Sequence, residues 1–165
     1  MRQNNTKRIA LGGVLAALAV VIMGLGGFIP VATYICPMLC CITQFVVLRF
    51  CGKRIAWAWF AAVAMLSAFI CPDKEAVFVF FAIGYYPILK PSFDRYKIGL
   101  LFKFLFFNTS ILFVYFVMIH LFGMQDVAAE NMEFGVIGLA VILLMGNLTF
   151  ILLDELLAIM SRKLR

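Results

Sequence analysis

Charged residues come in short clusters along this chain, and the stretches between them are almost free of polar side chains. Six apolar runs result. The first extends from about Ile9 to the Gly24-Leu25-Gly26-Gly27 cluster and the second from Cys36-Pro37 to about Phe50. The third runs from Ile55 to Cys71, the fourth from Ala76 to Leu89, the fifth from Ile98 to Phe122 and the sixth from Phe134 to Met160. A bilayer crossing takes roughly 20 apolar residues, so the pattern predicts six transmembrane helices. Pro37 suits the first turn of the second helix, where its missing N–H has no partner to lose. The fourth run is short and carries Gly84 and Pro87, which predicts a helix that is tilted or broken near its end. The first run follows Lys7 and Arg8, as in a signal peptide, but it is long and has no clear small-residue cleavage site, so it reads as an uncleaved span.

Composition excludes several classes. The 165 residues are 65% hydrophobic and 13% charged, with a mean hydropathy of +1.09. Soluble domains are nearer half apolar and a quarter charged, so a soluble fold lacks the polar surface to cover its core. The net charge of +6 does not indicate nucleic-acid binding, because the basic residues punctuate apolar runs instead of gathering on one accessible face. The expected fold is all-α: an integral membrane protein forming a six-transmembrane-helix bundle. Residues 1–165 read as a single domain with no linker and no internal repeat. The absence of two matching halves argues against a self-contained transporter built on inverted repeats.

The basic residues also orient the chain. Arg2, Lys7 and Arg8, then Arg49, Lys53 and Arg54, then Lys90, Arg95 and Lys97, then Arg162, Lys163 and Arg165 all fall on one side of the six-span topology, twelve of the fourteen in total. Asp94 is the one acid on that side, whereas the other side holds Lys74 with Asp73, Glu75, Asp126, Glu130 and Glu133. The positive-inside rule then places both termini in the cytoplasm and three loops outside. Trp57 and Trp59 fall near the inner interface, where aromatic belts sit.

Catalytic chemistry is not indicated. His120 is the only histidine, and no G-x-S-x-G, H-E-x-x-H or P-loop pattern occurs, so neither an enzyme nor a resident cofactor is expected. Cys36, Cys40 and Cys41 with Met38 have spacing compatible with a soft metal site, but small apolar packing groups in a lipid-embedded helix are the favoured use, and no metal is expected. Lys103 lies about five residues into the fifth span and Asp154-Glu155 at a matching depth in the sixth. Adjacent antiparallel helices would pair Lys103 with one of the two acids.

The remaining polar residues suggest a site. Tyr34, Asp73, Lys74, Glu75 and His120 lie toward the external face, and Asn108 and Asn147 lie deeper in spans five and six. Each also has a plainer use: Asp73 as a helix cap, His120 and Lys74 as solvated groups, and Asn108, Asn147 and Gln44 as interhelical hydrogen-bonding groups. The first external loop, Gly26 to Cys36, is apolar and Gly-rich, which predicts a lid folded over the bundle. The third, Gly123 to Glu133, is acidic and expected to be partly helical. Gly12 with Ala16 and Gly13 with Ala17 are four residues apart, a spacing that lets another helix approach closely.

Three features resemble the substrate-binding S components of energy-coupling factor (ECF) transporters. They are the opening Thr6-Lys7-Arg8-Ile9-Ala10-Leu11 followed by an Ala/Gly-rich helix, the apolar first external loop, and the overall length. The resemblance implies a subunit that captures a small vitamin-like molecule from outside the cell membrane, beneath that first loop, between spans four, five and six. Tyr34, Asp73, Lys74, Glu75, Asn108, His120 and Asn147 are its candidate contacts. It also implies docking through Gly12, Gly13, Ala16 and Ala17 onto an ECF transmembrane subunit and, through it, two ATPase subunits. The competing readings are a membrane scaffold similar to bacterial rod-shape-determining proteins, and a small channel or lipid-handling protein.

Overall fold

The structure is a computed structural model. It describes the backbone of residues 2–26, 32–94, 99–120 and 125–163, and the side chains of these except at 2–5, 32, 99–100, 118–119, 125–142 and 145. Every described element is helical: α1 (Arg2–Leu25), α2 (Ala32–Cys51), α3 (Lys53–Ile70), α4 (Lys74–Ile83), α5 (Tyr86–Phe93), α6 (Gly99–His120) and α7 (Gln125–Lys163). Among the described residues four stretches are long and apolar enough to cross a membrane: Thr6–Leu25, Thr33–Cys51, Lys53–Ile70 and Lys74–Phe93. Leu101–Val117 is a shorter apolar helix. Large side chains point outward from these helices, Phe69 at 88% exposure and Val14 at 68%, as suits hydrocarbon surroundings and not water. The architecture is that of an all-helical protein compatible with a membrane bundle.

The chain folds as two compact units, Met1–Tyr96 and Lys97–Arg165. In the first unit α2 is the hub, packing against α1, α3, α4 and α5. Its buried residues Cys36, Cys40, Gln44, Val47 and Cys51 recur every three or four positions and so share one face. Thiols fasten this helix to its neighbours. Cys40 Sγ donates to the Ala19 carbonyl of α1 at 3.4 Å, Cys51 Sγ to the Arg8 carbonyl at 3.2 Å, and Cys41 Sγ to the Ile83 carbonyl of α4 at 3.6 Å. Between α2 and α3 the chain turns at Gly52, whose φ of 94° lies in a region that side chains with a Cβ rarely adopt.

Two sequence expectations change here. The second span begins at Ala32, so Pro37 sits inside α2 and not in its first turn. The helix extends back past the proline because Thr33 and Tyr34 find partners across the α3–α4 corner, described below, and near a helix start the proline removes only one backbone bond. The other concerns Trp59, which is 4% exposed against 41% for Trp57. Two residues apart on a helix point to different faces, so only Trp57 is on the outer surface, while Trp59 enters the core.

The fourth run is broken as its composition predicts. Helix α4 stops at Ile83, Gly84 and Tyr85 form a turn, and α5 resumes at Tyr86. Phe60 of α3 packs into this break, with ring centroids 5.6 Å from Phe80 and 5.8 Å from Tyr85. A Cβ on Gly84 would lie 2.6 Å from the Phe80 carbonyl oxygen and 2.7 Å from the Phe60 ring, so the close approach requires glycine.

In the second unit α6 packs on α7. Lys103, Phe107, Ile111 and Val114 form the buried face of α6, and Phe150, Leu153 and Leu157 that of α7. Phe107 stacks on Phe150 at 4.5 Å. Helix α7 is continuous over 39 residues, so the third polar loop is helical from Gln125 onward.

Candidate functional site

Four of the expected site residues meet at one end of the first unit, where α2 begins and α3 gives way to α4. The three-residue connection Cys71-Pro72-Asp73 cannot satisfy the helix ends by itself, and side chains complete it. Asp73 caps α4, its Oδ1 accepting the Ala76 N–H at 3.0 Å, while its Oδ2 accepts the Thr33 hydroxyl at 2.9 Å. Tyr34 donates its hydroxyl to Glu75 Oε1 at 3.3 Å. Lys74 turns back, donating from Nζ to the Ala68 and Cys71 carbonyls at 2.8 and 2.9 Å, orphan acceptors at the end of α3. Burial pushes the Cys71 thiol up, so this cysteine packs as a neutral group. The cluster thus clamps the start of α2 to the α3–α4 corner. A guest at this end would meet the exposed Lys74 and the half-buried side chains of Tyr34, Asp73 and Glu75.

The other three lie in the second unit. Asn108 and Asn147 form a reciprocal amide pair between α6 and α7, each Nδ2 donating to the other's Oδ1 at 3.0 Å. Each Nδ2 also donates along its own helix, Asn108 to the Phe104 carbonyl at 2.8 Å and Asn147 to the Leu143 carbonyl at 2.7 Å. This is the interhelical bond weighed from sequence, and it engages both amides. His120 is exposed at the end of α6. Its ring stacks on Phe116 at a centroid separation of 4.4 Å, and its Nδ1 lies 3.2 Å from the Phe116 carbonyl oxygen. Farther along the same two helices, Lys103 pairs with Asp154 at 3.1 Å. The matched-depth expectation therefore resolves to Asp154, and Glu155 is exposed.

The four small residues of α1 divide. Gly12 is buried, and a Cβ there would touch Ile55 of α3 at 3.6 Å; a Cβ on Gly13 would meet nothing within 4 Å. Ala16 packs against the core, whereas Ala17 is exposed beside Val14, Leu18 and Val21. The first loop, expected as a lid over Gly26 to Cys36, is helical from Ala32 onward; residues 27–31 lie outside the described residues.

Among the described residues no group of three or more His, Cys, Asp or Glu side chains is placed to hold a metal, and Cys40 and Cys41 are engaged with backbone carbonyls as described above. Sequence reasoning missed Thr33, for which a hydroxyl in the first turn of α2 was the available signal. It also missed that Gln44, expected to bond between helices, has no partner among the described residues.

No protein-family model, no curated protein and no solved structure matches the chain.

Proposed function

We propose that this protein is the substrate-capture subunit of an ECF-type, ATP-driven uptake transporter. In this reading the chain crosses the cell membrane six times, with both termini in the cytoplasm, and takes a small neutral or zwitterionic molecule from outside. It hydrolyses no ATP itself; a partner transmembrane subunit and two ATPases supply the energy, and the loaded subunit topples to present its site inward. Tyr34, Asp73, Lys74 and Glu75 form the rim of the site.

The observation that carries the reading is the division of α1. One side, Gly12, Ala16, Ala19 and Met23, is used for internal packing. The other presents Gly13 and Ala17 outward among aliphatic side chains, a small-residue face that admits a partner helix at close range. The twelve-residue basic bias supports the orientation, and the resemblance of Thr6 to Leu11 supports the family.

Replacing Ala17 or Gly13 with Leu tests it. The expected result is loss of uptake and of the complex with the transmembrane subunit, with expression and ligand binding unchanged. Intact uptake in both variants, or equal loss of expression and binding, would refute the docking face.

A further inference from the structure

Most polar side chains described inside the first unit have an assigned use. On α2, Cys40 and Cys41 donate to carbonyls of neighbouring helices, and the Thr43 hydroxyl donates to the Cys40 carbonyl at 2.8 Å. Gln44 stands apart. It is fully buried at 0% exposure, and neither its Nε2 nor its Oε1 has a hydrogen-bond partner among the described residues. The Trp59 indole Nε1, buried on the adjacent α3, is in the same condition, as is the Ser67 hydroxyl, which lies eight residues and so about 12 Å farther along α3.

The two residues lie at one level. Gln44 precedes the Gly52 turn by eight residues and Trp59 follows it by seven, which at about 1.5 Å per residue puts them about 12 and about 10 Å from the turn on two packed helices. Gln44 lies on the buried face of α2, one turn from Cys40 and Val47. Trp59 lies on that of α3, between Ala56 and Val63. Buried polar groups in folded proteins are nearly always satisfied, and in a helix surrounded by hydrocarbon no solvent is at hand to do it.

We propose that the Gln44 amide and the Trp59 indole together hold one uncharged guest that offers both a hydrogen-bond donor and an acceptor. The chemistry of the donor set fixes that class. Nε2 and Nε1 need an acceptor, which disfavours a cation. Oε1 needs a donor, which disfavours a simple anion. Two sources present this chemistry: a single water molecule, and the amide-like or hydroxyl end of a small organic molecule. The inference stands independently of the transport reading.

The test uses the full chain in micelles of perdeuterated detergent. Perdeuterated protein carrying 15N-labelled tryptophan, with its exchangeable groups protonated, gives an indole proton for Trp59 that is identified by its loss in Trp59→Phe. Cross-relaxation of that proton with the water resonance assigns a water guest, and with any other non-protein proton, an organic one. Either outcome supports the site. Contact with the Gln44 side-chain protons alone, or with no exchangeable or non-protein proton, overturns it. Thermal melts of Gln44→Leu, Trp59→Phe and the double variant give a second reading. Each single change should lower the midpoint by about 2–6 °C, and the double change by less than their sum. A rise in the midpoint for Gln44→Leu would mean that the amide is simply unsatisfied, and would also overturn the proposal.

Discussion

Lys103→Met removes the cation from an ion pair that the second unit holds between α6 and α7. The ammonium lies 3.1 Å from Asp154 Oδ2, with side-chain exposures of 8% for Lys103 and 20% for Asp154. Truncating one member of a buried pair costs about 3–5 kcal/mol, because the other charge is left uncompensated. Asp154 keeps a fifth of its surface open, so the lower end applies, about 3 kcal/mol. At about 2–4 °C per kcal/mol for a chain of this size, the melting midpoint should fall by about 6–12 °C. Replacing both residues, Lys103→Met with Asp154→Leu, exchanges the pair for apolar packing, which is often neutral or stabilising. The double variant should therefore melt above either single one. Far-UV circular dichroism of the full chain in detergent is the appropriate assay. Tryptophan fluorescence is not, since Trp57 and Trp59, the only tryptophans, both belong to the first unit. Additive losses in the double variant, or a Lys103→Met midpoint within 2 °C of the parent, would refute the claim that the two charges compensate each other.

Three further outcomes follow from the geometry. Gly84→Ala forces a methyl against the Phe80 carbonyl and the Phe60 ring and should cost about 1–3 kcal/mol by overpacking, measured as a lower denaturation midpoint; the loss should shrink when Phe60→Leu is added. Asp73→Ala removes both the α4 cap and the Thr33 bond and should cost about 1–2 kcal/mol, whereas Thr33→Val, which spares the cap, should cost less in the same melt. A cysteine placed at Gln125 should react with an impermeant thiol reagent from the external side of intact cells, and labelling only after the cytoplasmic face is opened would reverse the proposed orientation.

Much of this architecture was legible because apolar runs and charge clusters are long-range signals that a helix cannot disguise. The break at Gly84, ahead of Pro87, followed from two residues that interrupt helices. That Lys103 pairs with one of the two adjacent acids followed from depth and sign, and the packing of α6 on α7 selects Asp154 over Glu155. What escaped was decided by contacts between segments distant in sequence. Pro37 suggested a helix start, yet the start is set by Thr33 and Tyr34, whose partners Asp73 and Glu75 lie about forty residues on. Trp57 and Trp59 looked alike as belt residues, and only the packing of α3 separates a surface ring from a core ring. Gln44 looked like an interhelical bonding group, and nothing in its sequence neighbours shows that it finds no partner among the described residues. The candidate site was half legible: the sequence marks Tyr34, Asp73, Lys74 and Glu75 as polar groups near one end of the spans and Asp73 as a helix cap, but not that Asp73 also holds Thr33, that Tyr34 bonds Glu75 or that Lys74 turns back onto the end of α3.

The proposed capture of a small molecule is open to native mass spectrometry of the full chain extracted gently from its own membrane. The expected species is heavier than the bare 18.5 kDa chain by one organic molecule of a few hundred daltons. That adduct should be lost on denaturation and weakened by Tyr34→Ala. A folded chain that always appears at its bare mass, including after incubation with an extract of small metabolites, would contradict it.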